Sequence, residues 1–366
     1  MSEQRNGPRL LYINNLRIVL IILIIMLHTA ITYGASGSWY YSEPATDMVP
    51  VVLLTLFCAV VQSFALGLFF MLSGYFTPGS YSRKGAGAYL RDRFIRLGIP
   101  LVVYYFMINP LIVYILYVRC MGKSIPFENF FGSGPLWFVE TLLLFALGYY
   151  LWRRLRRAES RERKSPRGSD LLKYAIILSL AGFLVRIWWP VGESFSNLQF
   201  GFFPGYIGWF VIGIAAYRNN WIADFRDSVG IQWLIISGLG ILLLPVIMLS
   251  CGATESVTPF LGGLTWQSFV YSTWEAFVGT GLVAGLLVVF RRRFNRQARF
   301  TKLLADNVYT VYIIHAPVIV FFAYTTRGVH LYPLLKFVIA AVIGISLCFL
   351  ISHFIVRRIP YSEKVL

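Results

Sequence analysis

From Leu16 to His28 the chain reads LRIVLIILIIMLH, an apolar run that holds Arg17 near its start and the histidine at its end. These two polar residues are 11 positions apart. An α-helix therefore brings them within about 20° of each other around its axis and about 16 Å apart along it. We expect Arg17 near one membrane surface and His28 near mid-depth. A titratable group at that depth costs a few kcal/mol, so it usually faces a partner, a cavity or a substrate path.

The composition indicates a membrane protein. Hydrophobic residues make up 57% of the 366 residues and charged residues 13%, which is more apolar surface than a soluble domain of this length buries. The apolar runs have the length that a helix needs to cross about 30 Å of hydrocarbon. Ten such spans are predicted, at 16–34, 50–76, 97–118, 134–152, 171–190, 201–217, 231–250, 266–290, 303–325 and 331–356. Because a segment in lipid must satisfy its own backbone hydrogen bonds, we predict an all-α fold, a polytopic bundle of about ten transmembrane helices.

The loops between these spans alternate in charge. Most of the 33 Lys and Arg residues fall near the two termini, after the sixth span, and in the loops 77–96, 153–173 and 291–302. Since basic residues in short loops stay in the cytoplasm, both termini are predicted to be cytoplasmic, in a multi-pass protein of the cell membrane. The net charge of +17 reflects this bias and an attraction to anionic lipid headgroups, so nucleic acid is not a predicted partner.

The whole chain, residues 1–366, is predicted to be one transmembrane domain. Within it, the basic stretch 153–170 contains Ser, Pro and Gly and is typical of a flexible cytoplasmic linker loop. The four cysteines have neither metal-binding nor redox spacing. We therefore predict no metal site and no catalytic thiol.

A few further charged or titratable residues fall inside the predicted spans. Glu140 lies about 9 Å below the outer surface, and Glu275 and His315 lie near mid-depth, at levels that overlap that of His28. Each of the three either holds neighbouring helices in register or forms a site with His28. Arg186 and Lys336 lie close to the outer ends of their spans. For these two residues, pairing with neighbouring helices is the favoured interpretation, and their long side chains can also reach the interface.

Two features at the predicted cytoplasmic side have two interpretations each. Arg91, Arg93 and Arg96, here called the arginine cluster, precede the third span. Their guanidinium groups suit bidentate phosphate binding, and they also suit an ordinary positive-inside anchor. At the inner end of the second span, the segment Phe69-Phe70-Met71-Leu72-Ser73-Gly74 offers either a ligand contact or, through its small residues, a close helix approach.

The chain resembles the acyltransferase 3 family over nearly its whole length, because five motifs follow one another in the family's order. They are Arg17 and His28 in R-x10-H, Phe69-Phe70-x-x-Ser73-Gly74, the arginine cluster, Leu136-Trp137-Phe138, and Tyr309-x-x-Tyr312-x-x-His315 with Pro317. The resemblance implies an integral membrane acyltransferase that moves an acyl group, commonly acetyl or succinyl, from cytoplasmic acyl-CoA to a hydroxyl-bearing acceptor. Many members act on envelope carbohydrate. Where many members carry Asp three residues before the motif arginine, this chain has Asn14.

The resemblance also implies roles for the motif residues. It implicates Arg17 and His28 in catalysis. We predict that His28 is the general base on the acceptor hydroxyl and that Arg17 binds the donor or orients the site. Glu140, Glu275 or His315 then orients the imidazole or stabilises charge in the transition state. Acyl-CoA is expected as a co-substrate, with no tightly bound cofactor, and its predicted contacts are the arginine cluster, Phe69, Phe70, Ser73 and Gly74.

Two questions stay open from the sequence. A secondary transporter or flippase would also have ten spans, with buried His and Glu residues as a proton relay, although no internal repeat typical of transporters is visible. The acceptor, whether glycan, lipid or another hydroxyl compound, is not encoded. The outer-loop aromatic residues suit sugar stacking, although an interfacial belt is the commoner explanation. They include Trp39, Tyr40, Tyr41, Trp188 and Trp189.

Overall fold

The computed structural model describes residues 10–44, 47–155, 163–360 and 362–365. Within these residues it has ten helices long and apolar enough to cross a membrane and no β-strand, which confirms the predicted all-α fold. They are α1 Leu11–Thr32, α2 Met48–Lys84, α3 Ala86–Cys120, α4 Gly134–Leu155, α5 Gly168–Arg186, α6 Phe200–Arg218, α7 Asp227–Ser250, α8 Trp266–Arg293, α9 Arg299–Thr325 and α10 Pro333–Arg358. Part of the predicted linker, residues 156–162, lies outside the described residues.

The loops define two faces of the bundle. The face that we call the basic face holds the start of α1 and the connection between α8 and α9, where the side-chain nitrogen of Asn15 donates to the carbonyls of Phe294 and Arg296 at 2.7 and 2.8 Å. The opposite face holds the loops 33–47, 121–133, 187–199, 251–265 and 326–332. That the basic face is cytoplasmic stays a prediction from charge.

Local signals fix several helix ends. The carboxylate of Asp47 accepts a hydrogen bond from the backbone N–H of Val49 at the start of α2, at 3.0 Å. The hydroxyl of Thr265 does the same for Ser268 at the start of α8, at 3.2 Å. Such caps satisfy N–H groups that have no partner within the helix. Gly85 ends α2 with φ +78°, a conformation that suits glycine.

The third helix is irregular, and its irregularity has a visible cause. Pro100 and Pro110 lie inside α3, which alternates α-helical turns with π-helical turns at Phe94–Gly98, Tyr104–Ile108 and Tyr114–Cys120. A proline lacks an N–H and leaves the carbonyl four residues earlier without its helical donor. For Pro100 that carbonyl belongs to Arg96, and the hydroxyl of Tyr309 donates to it at 2.6 Å. α9 thus supports α3 where its helical bonding is interrupted.

The helices pack around α1, α8 and α9, which are the most buried, whereas α5 and α7 lie at the periphery against α8. α1 contacts α2, α8, α9 and α10. α2 and α6 approach closely because glycines face backbone atoms: a Cβ on Gly74 would overlap the carbonyl oxygen of Phe210, and a Cβ on Gly213 would overlap that of Met71. Small residues at such crossings let helices pack by van der Waals contact within a membrane. The packing places His28 of α1 next to α9.

Candidate active site

His28 lies in α1, four residues before the helix ends at Thr32. Its ring stacks on the ring of Trp39, with centroids 3.8 Å apart and planes 15° from parallel. The ring of His315 is 5.3 Å away, centroid to centroid. α1 begins at Leu11, five residues before the predicted span, and the mid-depth position of His28 in the membrane stays a prediction. At about 1.5 Å per residue, His28 is about 6 Å from the end of α1 at the opposite face.

A cavity of about 370 Å³ opens beside His28 on the opposite face. Its uncharged hydrogen-bonding side chains are Ser38, Asn109, Asn129, Ser194, Asn197 and Gln199, and its aromatic ones are Trp39, Tyr40, Tyr117, Phe131 and Trp137. In the part of the chain that the structure describes, no Lys, Arg, Asp or Glu lines this cavity. None of the described residues hydrogen-bonds to the buried Nδ1 of His28, so Nε2 is the nitrogen that a molecule in the cavity reaches.

Residues 33–44, in the loop 33–47, contribute one wall of the cavity and are held by several polar contacts. The hydroxyl of Tyr117 donates to the carbonyl of Tyr40 at 2.6 Å. The backbone N–H of Glu43 donates to the carbonyl of Thr32 at 2.8 Å, and the ammonium of Lys336 donates to both carboxylate oxygens of Glu43 at 2.6 and 2.7 Å. Since these bonds anchor the loop to α1, α3 and α10, they fix the place of Trp39 over the histidine.

His315 comes from α9 and is fully buried. Its Nδ1 lies 2.5 Å from the carbonyl oxygen of Tyr312, and since a carbonyl only accepts, Nδ1 carries the proton and donates. Nε2 then holds the lone pair of the neutral ring, and it has no partner. The hydroxyl of Tyr312 in turn donates to the carbonyl of Pro135, which ties α9 to the start of α4 beside the cavity.

Comparison with known proteins decides the class. A family model described as an acyltransferase domain, Acyl_transf_3, matches residues 10–353. The chain belongs to this family. It is therefore an enzyme, a membrane acyltransferase, and the transporter alternative is set aside. The acyltransferase is 23% identical over 350 residues to the glucans biosynthesis protein C of Salmonella schwarzengrund (strain CVM19633), Salmonella typhi and Salmonella typhimurium, covering 87% of this chain and 85% of each relative. No solved structure matches the acyltransferase significantly.

Of the residues predicted to assist His28, the structure of the acyltransferase brings only His315 to it. Glu275 is ion-paired with Arg186 of α5, which also donates to the hydroxyl of Ser272 at 3.1 Å and to the carbonyl of Gly201 at 3.2 Å. Glu140 is half-buried in the first turn of α4 and does not line the cavity. Glu275 is thus committed to a separate charge pair.

The interpretation of Arg186 and Lys336 as residues that pair within the bundle is confirmed. Arg186 is 1% exposed and Lys336 is 6% exposed, so neither side chain is directed to the membrane interface. Arg186 pairs with the carboxylate of Glu275 and Lys336 with that of Glu43. The physical reason is that both side chains face the bundle, where a charge without a partner would be costly. The position of a residue near the end of a span does not reveal on which side of the helix its partner lies.

Arg17 lies on α1, 11 residues before His28 and therefore about 16 Å from it along the axis. It is half-buried, and within the described ranges it makes no hydrogen bond or ion pair, although it lies in a helix of the bundle interior. In the arginine cluster, Arg96 pairs with Asp92 at 3.5 Å, Arg93 lies over the ring of Tyr89 at 5.3 Å, and Arg91 is exposed. The cluster and the cavity lie on different faces of the acyltransferase.

The segment from Phe69 to Gly74 serves helix packing. Phe70 is fully buried and sits among aromatic rings of α4 and α6, with Phe138 at 4.6 Å and Tyr206 at 4.8 Å. Phe69 contacts the same Phe138 ring, and the carbonyl of Ser73 accepts the hydroxyl of Thr77 at 2.8 Å. The close-approach interpretation is therefore confirmed for Gly74. The predicted contact of these residues with acyl-CoA stays a prediction.

Reasoning from the sequence did not place Trp39 or Asn109 at the site. Trp39 was grouped with other aromatic residues of the outer loops, for which an interfacial belt is the commoner interpretation. Asn109 lies in the predicted third span, and its amide nitrogen donates to the carbonyl of Phe130 at 2.8 Å while its oxygen accepts from Tyr40. A polar amide inside an apolar span was the available signal.

Proposed function

We propose that the acyltransferase moves an acetyl or succinyl group from acyl-CoA, supplied at the basic face, to a hydroxyl of an envelope glycan bound in the His28 cavity. The observation that carries the proposal is the His28 imidazole at a cavity whose lining is polar, aromatic and uncharged. The protein then works in the cell membrane with its basic face in the cytoplasm.

The cavity lining favours a neutral carbohydrate as acceptor. Amide and hydroxyl side chains such as Asn109, Asn197 and Gln199 donate to and accept from sugar hydroxyls, and aromatic rings offer apolar faces to sugar rings. A phosphate or carboxylate would meet no Lys or Arg side chain among the described residues that line the cavity. A volume of about 370 Å³ falls within the range of small-molecule sites. The relatives named above are glucan biosynthesis proteins, which supports a glucan as the acceptor.

In this mechanism His28 removes the proton from the acceptor hydroxyl through Nε2. The hydroxyl oxygen forms a bond to the acyl carbon, the carbon–sulfur bond of the thioester breaks, and the thiolate of CoA leaves and takes up the proton. General base catalysis of this kind contributes about 10²- to 10⁴-fold. Arg17 binds the donor between the basic face and His28, and the arginine cluster binds its phosphates. The pantetheine arm of acyl-CoA then extends from the basic face, where the phosphates are bound, toward His28 near the opposite face.

The test is an assay of purified protein in liposomes with radiolabelled acetyl-CoA or succinyl-CoA and a neutral glucan oligosaccharide. Replacing His28→Gln should lower acyl transfer about 10²- to 10⁴-fold, because a glutamine accepts no proton at neutral pH. The matched control is His330→Gln, at an exposed position on the opposite face, which should leave the rate unchanged. Full activity of the His28 variant would contradict the mechanism. Transfer to lipid and not to glucan would contradict the acceptor.

A further inference from the structure

The catalytic histidine lacks the carboxylate partner that commonly stabilises a histidine when it takes up a proton. Nδ1 of His28 is buried and has no hydrogen-bond partner in the described part of the chain. Among the half-buried acids, Glu275 pairs with Arg186 and Glu43 with Lys336, and Glu140 does not line the cavity. A positive charge formed on this ring therefore needs another source of stabilisation.

Trp39 provides a surface suited to that purpose. Its ring lies face to face with the His28 ring, at 3.8 Å between centroids and 15° between planes. The face of an aromatic ring carries partial negative charge, and among side chains tryptophan attracts cations most strongly. Such attraction increases where water is excluded, and both Nδ1 of His28 and Nε1 of Trp39 are buried.

We propose that Trp39 is a positioning residue that stabilises the imidazolium of His28 through its π face, in place of a carboxylate, when His28 takes the acceptor proton. This inference rests on the proposed function. His315 remains neutral in this scheme: its Nδ1–H is donated to the carbonyl of Tyr312 at 2.5 Å, and Nε2 stays unprotonated because a second positive charge would lie 5.3 Å from the imidazolium of His28, centroid to centroid. The proton from the acceptor thus stays on His28 until it passes to the leaving thiolate.

The loop that carries Trp39 is built to keep this geometry. Tyr40, the next residue, donates through its hydroxyl to Asn109, and its own carbonyl accepts the hydroxyl of Tyr117 at 2.6 Å. The rings of Trp39 and Tyr40 meet edge to face at 5.2 Å. Because these hydrogen bonds hold the backbone next to Trp39 in place, the indole ring stays stacked on the imidazole of His28. The Nε2 atom of His28 then faces the cavity.

The experiment compares tryptophan analogues that differ in the electron density of the ring and hardly in shape. Trp39 is replaced by mono-, di- and trifluorotryptophan, and Trp266, an exposed residue at the start of α8 that does not line the cavity, receives the same series as the control. We expect kcat to fall by a further factor of about 2 with each fluorine at position 39, with KM for the glucan unchanged, and no trend at position 266. Trp39→Leu should lower kcat about 10-fold, and Trp39→Phe should lower kcat less than Trp39→Leu does.

The outcomes separate this inference from the proposed function. If the His28→Gln variant is inactive and fluorination at position 39 leaves kcat unchanged, the inference is wrong while the general base stands. A rise in KM for the glucan with constant kcat would make Trp39 an acceptor-binding residue and would also overturn the inference. If the His28→Gln variant keeps its activity, the proposed mechanism itself fails. A trend at position 39 alone supports the π-face role.

Discussion

Gly74→Ala should test whether the Phe-Phe-x-x-Ser-Gly segment acts through helix packing. In the structure a Cβ at this position would overlap the carbonyl oxygen of Phe210 and lie 3.0 Å from its carbonyl carbon and 3.2 Å from its Cα. All three are backbone atoms of α6, so no side chain can rotate away. Since carbon contacts are favourable at about 3.5–4.0 Å, α2 and α6 would have to separate locally by about 1 Å.

The expected cost is that of overpacking, about 1–3 kcal/mol of folding stability. The two backbones are in close contact at a second point as well, since a Cβ at Gly213 of α6 would lie 2.8 Å from the backbone nitrogen of Tyr75 and 2.9 Å from the carbonyl carbon of Met71. A local separation of α2 and α6 would therefore disturb the packing along the whole crossing. We therefore expect the midpoint of thermal unfolding in detergent to fall by several degrees. The control is Gly148→Ala in α4, where a Cβ meets nothing within 4 Å and helix propensity favours alanine.

Activity measurements on the same variants decide between packing and ligand contact. If packing is the role of Gly74, the folded fraction of Gly74→Ala keeps nearly the original KM for acyl-CoA, and Gly148→Ala is unchanged in both stability and activity. The reasoning would be refuted by a Gly74→Ala protein as stable as the parent with a clearly raised KM for acyl-CoA. That result would assign the glycine to the donor site instead.

Three further predictions concern charged residues. Glu275→Gln should lower stability by about 3–5 kcal/mol in thermal unfolding, because it leaves the buried Arg186 charge without its counter-ion, and kcat of the folded protein should persist since Glu275 does not contact His28. Lys336→Met should lower kcat and increase protease cleavage within the 33–47 loop, because Glu43 loses its anchor; an unchanged cleavage pattern would contradict this. Replacing all three residues of the arginine cluster by Gln should raise KM for acyl-CoA and leave the orientation of the protein in the membrane unchanged. If cysteine labelling shows an inverted orientation instead, the result would favour the anchor role of the cluster.

Several features of this acyltransferase could be predicted from the sequence because they depend on neighbouring residues. A run of apolar residues long enough to cross the hydrocarbon forms a helix whatever surrounds it, since its backbone has no other hydrogen-bond partner there. The ten spans follow from that rule. The spacing of Arg17 and His28 likewise fixes their common face, because helical geometry is local. The small residues at Gly74 indicated a close helix approach, which the structure confirms.

Other features depended on which helix faces meet. The sequence offered Glu140, Glu275 and His315 on equal terms, and only the packing of α9 beside α1 selected His315, which lies 5.3 Å from His28. The sequence favours a pairing role for Arg186, and only the structure identifies Glu275 as its partner. Such pairings join residues far apart in the chain, and periodicity carries no information about the rotation of one helix against another.

The amino-acid sequence by itself determined the number of spans, the all-α fold and the presence of a histidine within an apolar helix, because hydrophobic length and helical repeat act within one segment. Only the tertiary structure decided that this histidine stacks on Trp39, borders an uncharged cavity and has no hydrogen-bonded carboxylate among the residues that the structure describes. Those properties arise where α1, α9 and three loops of the opposite face converge. Convergence is set by the fit of whole helix surfaces, so no single segment contains it.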